Sequence, residues 1–264
     1  MQNLTVFKLE QYLDHQFPSS LAEEWDNVGL LIGDRKNHIQ KVLCCLTLTQ
    51  EVVEEAIELN ISLIVTHHPL PFKPTKKILA DDLVGGLLIK LIENKIAVYS
   101  PHTAYDSAEN GINQQLAEIL DLEDINPLMP MENSLYGAGR YGRLRMPQQL
   151  AGISKTLTNI TKSTETNFSG NAKRPIEKIA IACGAAGHFL SYAYEKKCDL
   201  FITGEANFHT CLEAKALGMG ILLLGHYASE RFAVERLAVQ IRDQFPELLH
   251  CAASKTEQNP IYKI

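Results

Sequence analysis

Long apolar runs are missing from this 264-residue sequence. No stretch approaches the ~20 apolar residues that a membrane-crossing helix needs, so a transmembrane protein is not expected. The first residues, MQNLTVFKLEQYLDHQF, lack the basic start and apolar centre of a secretory signal. Cysteine is sparse: Cys44, Cys45, Cys183, Cys198, Cys211 and Cys251, with no CxxC pair. Cys44, Cys45 and Cys183 sit in apolar, strand-like runs and read as reduced core thiols of a cytoplasmic protein. Positive charge is also short. The net charge of -6 gives no general pull toward DNA, RNA or anionic membranes. The local exception, GAGRYGRLR at residues 137–145, reads as a basic patch or, more simply, as a charged surface hairpin.

What is present is a regular alternation. LEQYLDHQF has helical spacing, and EEWDNVGLLIG then breaks it. KVLCCLTL is a nearly continuous apolar run, as a strand buried on both faces requires. Thr49 is the expected cap of the helix QEVVEEAIELN. ISLIVTHHP is a second strand, DLVGGLLIKLIENK a helix, and IAVYSPH a third strand. Asn110 is expected to cap GINQQLAEIL. Strands alternating with helices over short loops predict an α/β fold with a mostly parallel sheet.

Residues 125–175 change character and predict a strand-rich connector, with a helix near QQLAGISKTL. Then the pattern restarts. KIAIACGA resembles KVLCCLTL, and CDLFITGE lies against ISLIVTHH with Thr203 over Thr66, each 137 residues after its partner. GILLLGHYASE matches IAVYSPHTAYD. The chain therefore reads as two related β-α-β-α-β halves.

The duplication exposes a chemistry. Ligands of parallel α/β sheets bind beyond the carboxyl ends of the strands. Those ends carry His67 and His68, His102 with Asp106, Gly204 with Glu205, and His226 with Glu230. Four of the nine histidines fall there. One strand-end histidine is ordinarily a capping or hydrogen-bonding residue, and a repeated fold without chemistry would also repeat its histidines. The joint occurrence favours metal, since imidazole with carboxylate suits Zn, Mn, Fe, Co or Ni. So many ligands suit two ions, bridged by Asp106 and Glu230. His67 and His68 would face opposite ways inside a strand, so both reach one site only where the strand has ended. His15, His38 and His250 read as surface residues. Glu205 and His209 are expected either as partners of a ligand or as contacts to substrate, and Glu205 alternatively as a helix cap. The loop around Trp25 reads either as a tight turn over a buried indole or as a pocket mouth where Asn27 bonds a ligand.

WDNVGLLIGD, THHP, HTAYD, CGAAG, TGEANFH and GHYASE occur in an order that resembles the dinuclear-metal proteins often labelled GTP cyclohydrolase I type 2 homologues, the YbgI-like family. The resemblance runs from about Leu9 to the C-terminus. It implies two similar, pseudo-symmetric α/β lobes with mostly parallel sheets and a dinuclear metal site between them. Lobe one would span about residues 1–125 plus a C-terminal segment, lobe two about 126–250. Two divalent transition-metal ions per chain would be held by His67, His68, Asp106, His226 and Glu230. His102 would be a further ligand or a proton-transfer group. Assembly into a homo-oligomer, commonly a hexameric ring, is implied as well. The chain departs from the family at Ala104-Tyr105, before the acid of the HTxxD motif, and at His188, where a second glycine is common.

Function is expected to be metal-dependent hydrolysis of a nucleotide-like or small polar substrate, with His102 and Glu205 shuttling protons and Asn27 and His209 touching substrate. The alternatives are a non-catalytic ring that binds nucleic acid or protein partners, a metal-handling protein, or an α/β protein without metal.

Overall fold

The computed structural model describes residues 4–132, 135–163 and 166–261. Two compact units divide the chain: Met1–Tyr105 with Ala233–Ile264, and Asp106–Phe232. In chain order the first contains α1 (Val6–Gln16), β1 (Gly29–Ile32), β2 (Lys41–Cys45), α2 (Gln50–Glu58), β3 (Leu63–Thr66), α3 (Leu83–Glu93) and β4 (Ala97–Ser100). The short helix α4 (His102–Ser107) leads into the second unit. That unit holds α5 (Ile112–Ile119), β5 (Glu123–Pro130), β6 (Gly137–Gln148), α6 (Leu150–Thr161), β7 (Asn167–Ser169), β8 (Ile176–Ala182), α7 (Leu190–Glu195), β9 (Leu200–Thr203), α8 (Phe208–Ala216), β10 (Gly220–Leu223) and α9 (His226–Glu230). Helix α10 (Phe232–Gln244) and β11 (His250–Ala253) return to the first unit. No helix among the described residues is long and apolar enough to cross a membrane.

The first sheet runs β1-β4-β3-β2-β11, parallel except at β1. The second runs β5-β6-β8-β9-β10-β7, with β8, β9 and β10 parallel and the flanking strands antiparallel. Both are buried on two faces, which is why their strands read as unbroken apolar runs. In the second sheet Ile179, Ile181, Leu200, Ile202 and Leu222 pack with α5 and α6. Their neighbours Ala180, Ala182, Phe201 and Ile221 pack on the other face with Leu190 and Ala193 of α7 and Ala214 of α8. In the first sheet Leu43, Cys45, Ile64 and Val98 join Val52, Val53, Leu87 and Leu91. Val42, Cys44, Leu63 and Val65, which alternate with them, are fully buried too.

The internal repeat survives at the level of register. Val42 pairs with Leu63, and Ile179 with Leu200, so both strand pairs keep the spacing read from the sequence. The third strands differ by one residue: Leu63 pairs with Ala97, whereas Leu200 pairs with Gly220. Gly220 is thus equivalent to Ala97 rather than to Ile96, and the second half has one more residue before its histidine.

Four local expectations need correcting. Residues 125–175 are not a connector, because β5, β6 and β7 are built into the second sheet as its flanks. GAGRYGRLR is not a basic patch: it is one strand of an antiparallel pair with β5, where Arg143 and Arg145 are exposed and Arg145 is paired with Asp121 and Glu123. It lies in β6, between β5 and β8, and Arg140 is buried, donating to the carbonyls of Gly137, Gly139 and Ala108. The cap before α5 is Gly111, not Asn110, whose carbonyl accepts from Gln115 Nε2. His250 is half-buried in β11, where it pairs with Lys41 of β2. Thr49 does cap α2, its hydroxyl accepting from Val52 N.

Candidate metal centre

In the first unit the site is built where β3 ends. The strand stops at Thr66, but the ladder runs on for two residues: His67 N donates to Cys45 O and His68 N to Leu46 O. Thr66 Oγ1 closes the turn by donating to the carbonyl of His68. The two rings then stand 5.1 Å apart and tilted by 54°. His102 joins them from the start of α4, its ring 5.1 Å from His67 and 5.6 Å from His68. One ring nitrogen from each of the three lies within 4.8 Å of the others, a spacing that a metal ion can span. His102 is held at φ +30°, an uncommon backbone state for a residue with a side chain.

Two of these imidazoles are oriented from behind. Asp26 Oδ1 lies 2.7 Å from His102 Nδ1, and Thr47 Oγ1 lies 2.7 Å from His68 Nδ1. A histidine whose Nδ1 is engaged presents Nε2, and a carboxylate on the far nitrogen is the usual partner of a metal-bound histidine. Asp26 is itself fixed: it accepts from Thr103 N and from Thr103 Oγ1. Burial pulls its carboxyl up, but the hydrogen bonds from His102 and Thr103 prevail and hold it at about 2. Asp26 is therefore ionised throughout the physiological range. The sequence placed it only beside Trp25. Its partner lies 76 residues away, so no local spacing signals the pair.

In the second unit the loops after β8, β9 and β10 are laced to one another. Gly184 N donates to Ser229 Oγ, Glu205 N and Thr203 Oγ1 donate to Gly184 O, and Gly225 N donates to Gly204 O. This lacing needs glycine at Gly184, where φ is +69° and a Cβ would run into the Glu230 carboxylate. His226 and Glu230, one turn apart on α9, face the same side, with Nε2 and Oε2 3.2 Å apart. Glu205 approaches the other nitrogen of His226 at 3.4 Å. The hydrogen bond to Glu230, its charge and that of Glu205 outweigh burial and push His226 up to about 9. The imidazole and carboxylate thus compete for a proton where a metal ion would displace it.

Asp106 is placed by its backbone. Asn113 links its carbonyl to Cys183 N: Asn113 Nδ2 donates to Asp106 O, and Cys183 N donates to Asn113 Oδ1. Burial raises the Cys183 thiol well above its ordinary value, and the charges of Glu230 and Asp106 add to the effect. Both acids therefore lie close enough to act on one thiol. Cys183 is half-buried, packing against the core of the second sheet on one side and feeling these acids on the other.

Other expected site residues fall as follows. Asn27 Nδ2 donates to Pro71 O, joining two loops. Trp25 is 61% exposed, so the turn does not cover a buried indole. Glu205 turns to His226, and the cap of α8 is Asn207, which accepts from Thr210 N. His209 is exposed on the first turn of α8, edge-on to Phe208.

The donor set fits divalent transition metal. Imidazoles oriented at Nδ1 and carboxylates without thiolate ligands are what zinc, manganese, iron, cobalt and nickel accept. The comparisons with known proteins agree with the motifs. The family model for Duf34/NIF3 (NGG1p interacting factor 3) matches residues 4–260. The chain belongs to the Duf34/NIF3 family. It is similar to a Clostridium perfringens protein named GTP cyclohydrolase 1 type 2 homolog, 34% identical over 92% of this chain and 93% of that one. A Staphylococcus aureus crystal structure superposes with a TM-score of 0.90 at 26% identity, covering 99% of each chain. The structure of protein ybgI, 22% identical, shares the fold with a TM-score of 0.83 over 98% of this chain and all of that one. The resemblance to YbgI-like proteins read from the motifs is thereby borne out, and so is the two-lobed α/β fold.

Proposed function

We propose that this protein is a cytoplasmic, metal-dependent hydrolase of a nucleotide-like or other small polar substrate. Two divalent transition-metal ions per chain would be held by His67, His68, Asp106, His226 and Glu230. The observation that carries the reading is the convergence of His67, His68 and His102 within 4.8 Å, with Asp26 fixing His102 from behind. The name GTP cyclohydrolase 1 type 2 homolog, borne by the Clostridium perfringens relative, supports a ring-opening hydrolysis as one such reaction.

Bound there, the ions would lower the pKa of a water and polarise the substrate's electrophilic atom. The chain's own residues do the rest. His102, anchored at Nδ1 by Asp26, would offer Nε2 to the same site as a further ligand. Glu205 steadies His226 at Nδ1 and moves protons at its carboxylate. Asn27 fixes the loop that borders His102, and His209 offers a polar contact from α8. We also propose that copies of the chain assemble, as a homohexameric ring.

Elemental analysis tests the metal reading. The wild-type protein is expected to carry close to two transition-metal ions per chain, and the Asp106→Ala, Glu230→Ala double variant to lose them. A nucleotide panel with Mn, Zn, Fe or Co loaded then tests hydrolysis. Metal-free wild-type protein after reconstitution, or no turnover across the panel, would sink the respective half of the proposal. Light scattering tests the ring.

A further inference from the structure

Trp25 and Phe72 are large aromatic side chains left in water. Trp25 is 61% exposed and Phe72 47%. Each costs solvation energy there, and neither is loosely placed. Trp25 precedes Asp26, whose carboxylate is tied to His102 and Thr103, while Glu23 N donates to Thr103 Oγ1. Phe72 follows Pro71, whose carbonyl accepts from Asn27 Nδ2 at 2.8 Å. The two loops are thus anchored to one another and to the start of α4, and the rings project from fixed backbone. Their centroids are 5.8 Å apart. Both stand nearly perpendicular to His102, at 6.0 Å and 77° for Trp25 and 5.9 Å and 79° for Phe72.

We propose that Trp25 and Phe72 form a stacking shelf beside His102 for a planar heteroaromatic ring that carries an anionic group, the chemistry of a nucleotide. A guest cannot slide between the two rings, because a stacked ring needs ~4.5 Å or more on each side. It lies on the face of one and meets the other edge-on. That places an edge of the guest toward His102 and the histidine cluster. Stacking accepts any flat ring, so the shelf orients without reading base identity. Charge on the same loop selects the anion. Lys73, Lys76 and Lys77 follow Phe72, all exposed, nearer the ring than Asp81 and Asp82 in sequence, and Asp82 is committed to capping α3. The proposal rests on reading the histidine cluster as the reaction centre and adds where the substrate's ring is held.

Trp25 is the single tryptophan, so its emission reports this shelf alone. The full-length protein, loaded with Mn, is titrated with guanosine 5′-monophosphate and with ribose 5-phosphate, followed by fluorescence and calorimetry. The nucleotide is expected to quench Trp25 and to bind at least tenfold more tightly than the ringless phosphate. Phe72→Ala and Trp25→Ala are each expected to raise the nucleotide Kd about tenfold while ribose 5-phosphate binding stays put. Trp25→Phe, which keeps a ring, restores most of the affinity by calorimetry. Equal affinity for the two probes, binding that leaves Trp25 emission unchanged, or an unaltered Kd in Phe72→Ala overturns the shelf. So does a change of assembly mass in Phe72→Ala with no nucleotide binding to wild type, which assigns the rings to a subunit contact. Metal content is measured on the same samples. Full metal without ring binding removes the shelf alone, whereas ring binding by protein that takes up no metal removes the hydrolase reading alone.

Discussion

Asp26 and His102 meet through a 2.7 Å contact between Oδ1 and Nδ1 although 76 residues separate them. The carboxylate fixes which nitrogen of the imidazole faces the other histidines. It also grips Thr103, so one side chain sets both the ring and the start of α4. Asp26→Ala is expected to weaken metal binding by about 10–100-fold, the usual cost of losing such a partner. Chelator competition measures it. Thr103→Val, which removes one hydrogen bond to Asp26 but leaves the contact to His102, controls for loop damage and is expected to cost far less. Equal losses in the two variants would mean that the loop, not the imidazole, is what Asp26 serves.

Gly184 offers a separation of strain from collision. Its φ is +69° and that of Gly225 is +82°, so alanine is strained at either position. Such positive-φ backbone costs a residue with a Cβ about 1–3 kcal/mol. At Gly225 nothing lies within 4 Å of an added Cβ, whereas at Gly184 the Glu230 carboxylate is in the way. Both variants are expected to lose similar stability in thermal melts. Only Gly184→Ala should release metal, because Glu230 must move. Retention of metal by Gly184→Ala at the wild-type level would show that Glu230 is not a ligand.

These cases mark what a sequence reader can and cannot reach. The β-α-β pattern was legible because strands buried on both faces leave long apolar runs, and the clustered histidines were legible because parallel strands point their carboxyl ends one way. Strand β1 was not, being four half-buried residues with glycine at its start, paired antiparallel at an edge. Asp26 was visible only as part of a turn, since its purpose depends on a residue on a distant helix. The glycine at Gly184 hid a steric requirement that exists only once Glu230 is folded beside it. Arg140 misled, because a charged residue in a Gly-rich run looks solvated until its carbonyl partners are known.

Arg140 supplies a stability test. Its guanidinium, 1% exposed, donates from Nη1 to Gly137 O and Gly139 O, from Nη2 to Ala108 O and from Nε to Gln114 Oε1. Burial lowers its pKa to about 10, and the charge of Glu109 pulls the other way. Lysine keeps the charge but not the planar fork, so it cannot serve three segments at once. Arg140→Lys is expected to cost about 2–3 kcal/mol, the scale of losing hydrogen bonds to a charged group. The urea midpoint reads it. A midpoint equal to wild type would show that water replaces the lost donors.

Glu55 makes stability depend on acid. Burial alone would raise its carboxyl, but it accepts from Ser254 Oγ, Lys255 N and Thr256 Oγ1, and the balance leaves its pKa below the ordinary 4.5. These bonds fasten the segment after β11 to α2. The unfolded chain, with the higher pKa, binds the proton first as pH falls. The contribution is therefore complete above the ordinary value and is lost as pH drops through the lower folded one. Glu55→Gln is expected to destabilise by about 2 kcal/mol at neutral pH, since it removes charged acceptors. Its deficit should shrink toward zero in acid, where wild type carries the proton too. Melting curves of both proteins from neutral pH down through the carboxylate range check this. A deficit that stays constant with pH would show that the shape of the side chain, not its charge, holds the segment.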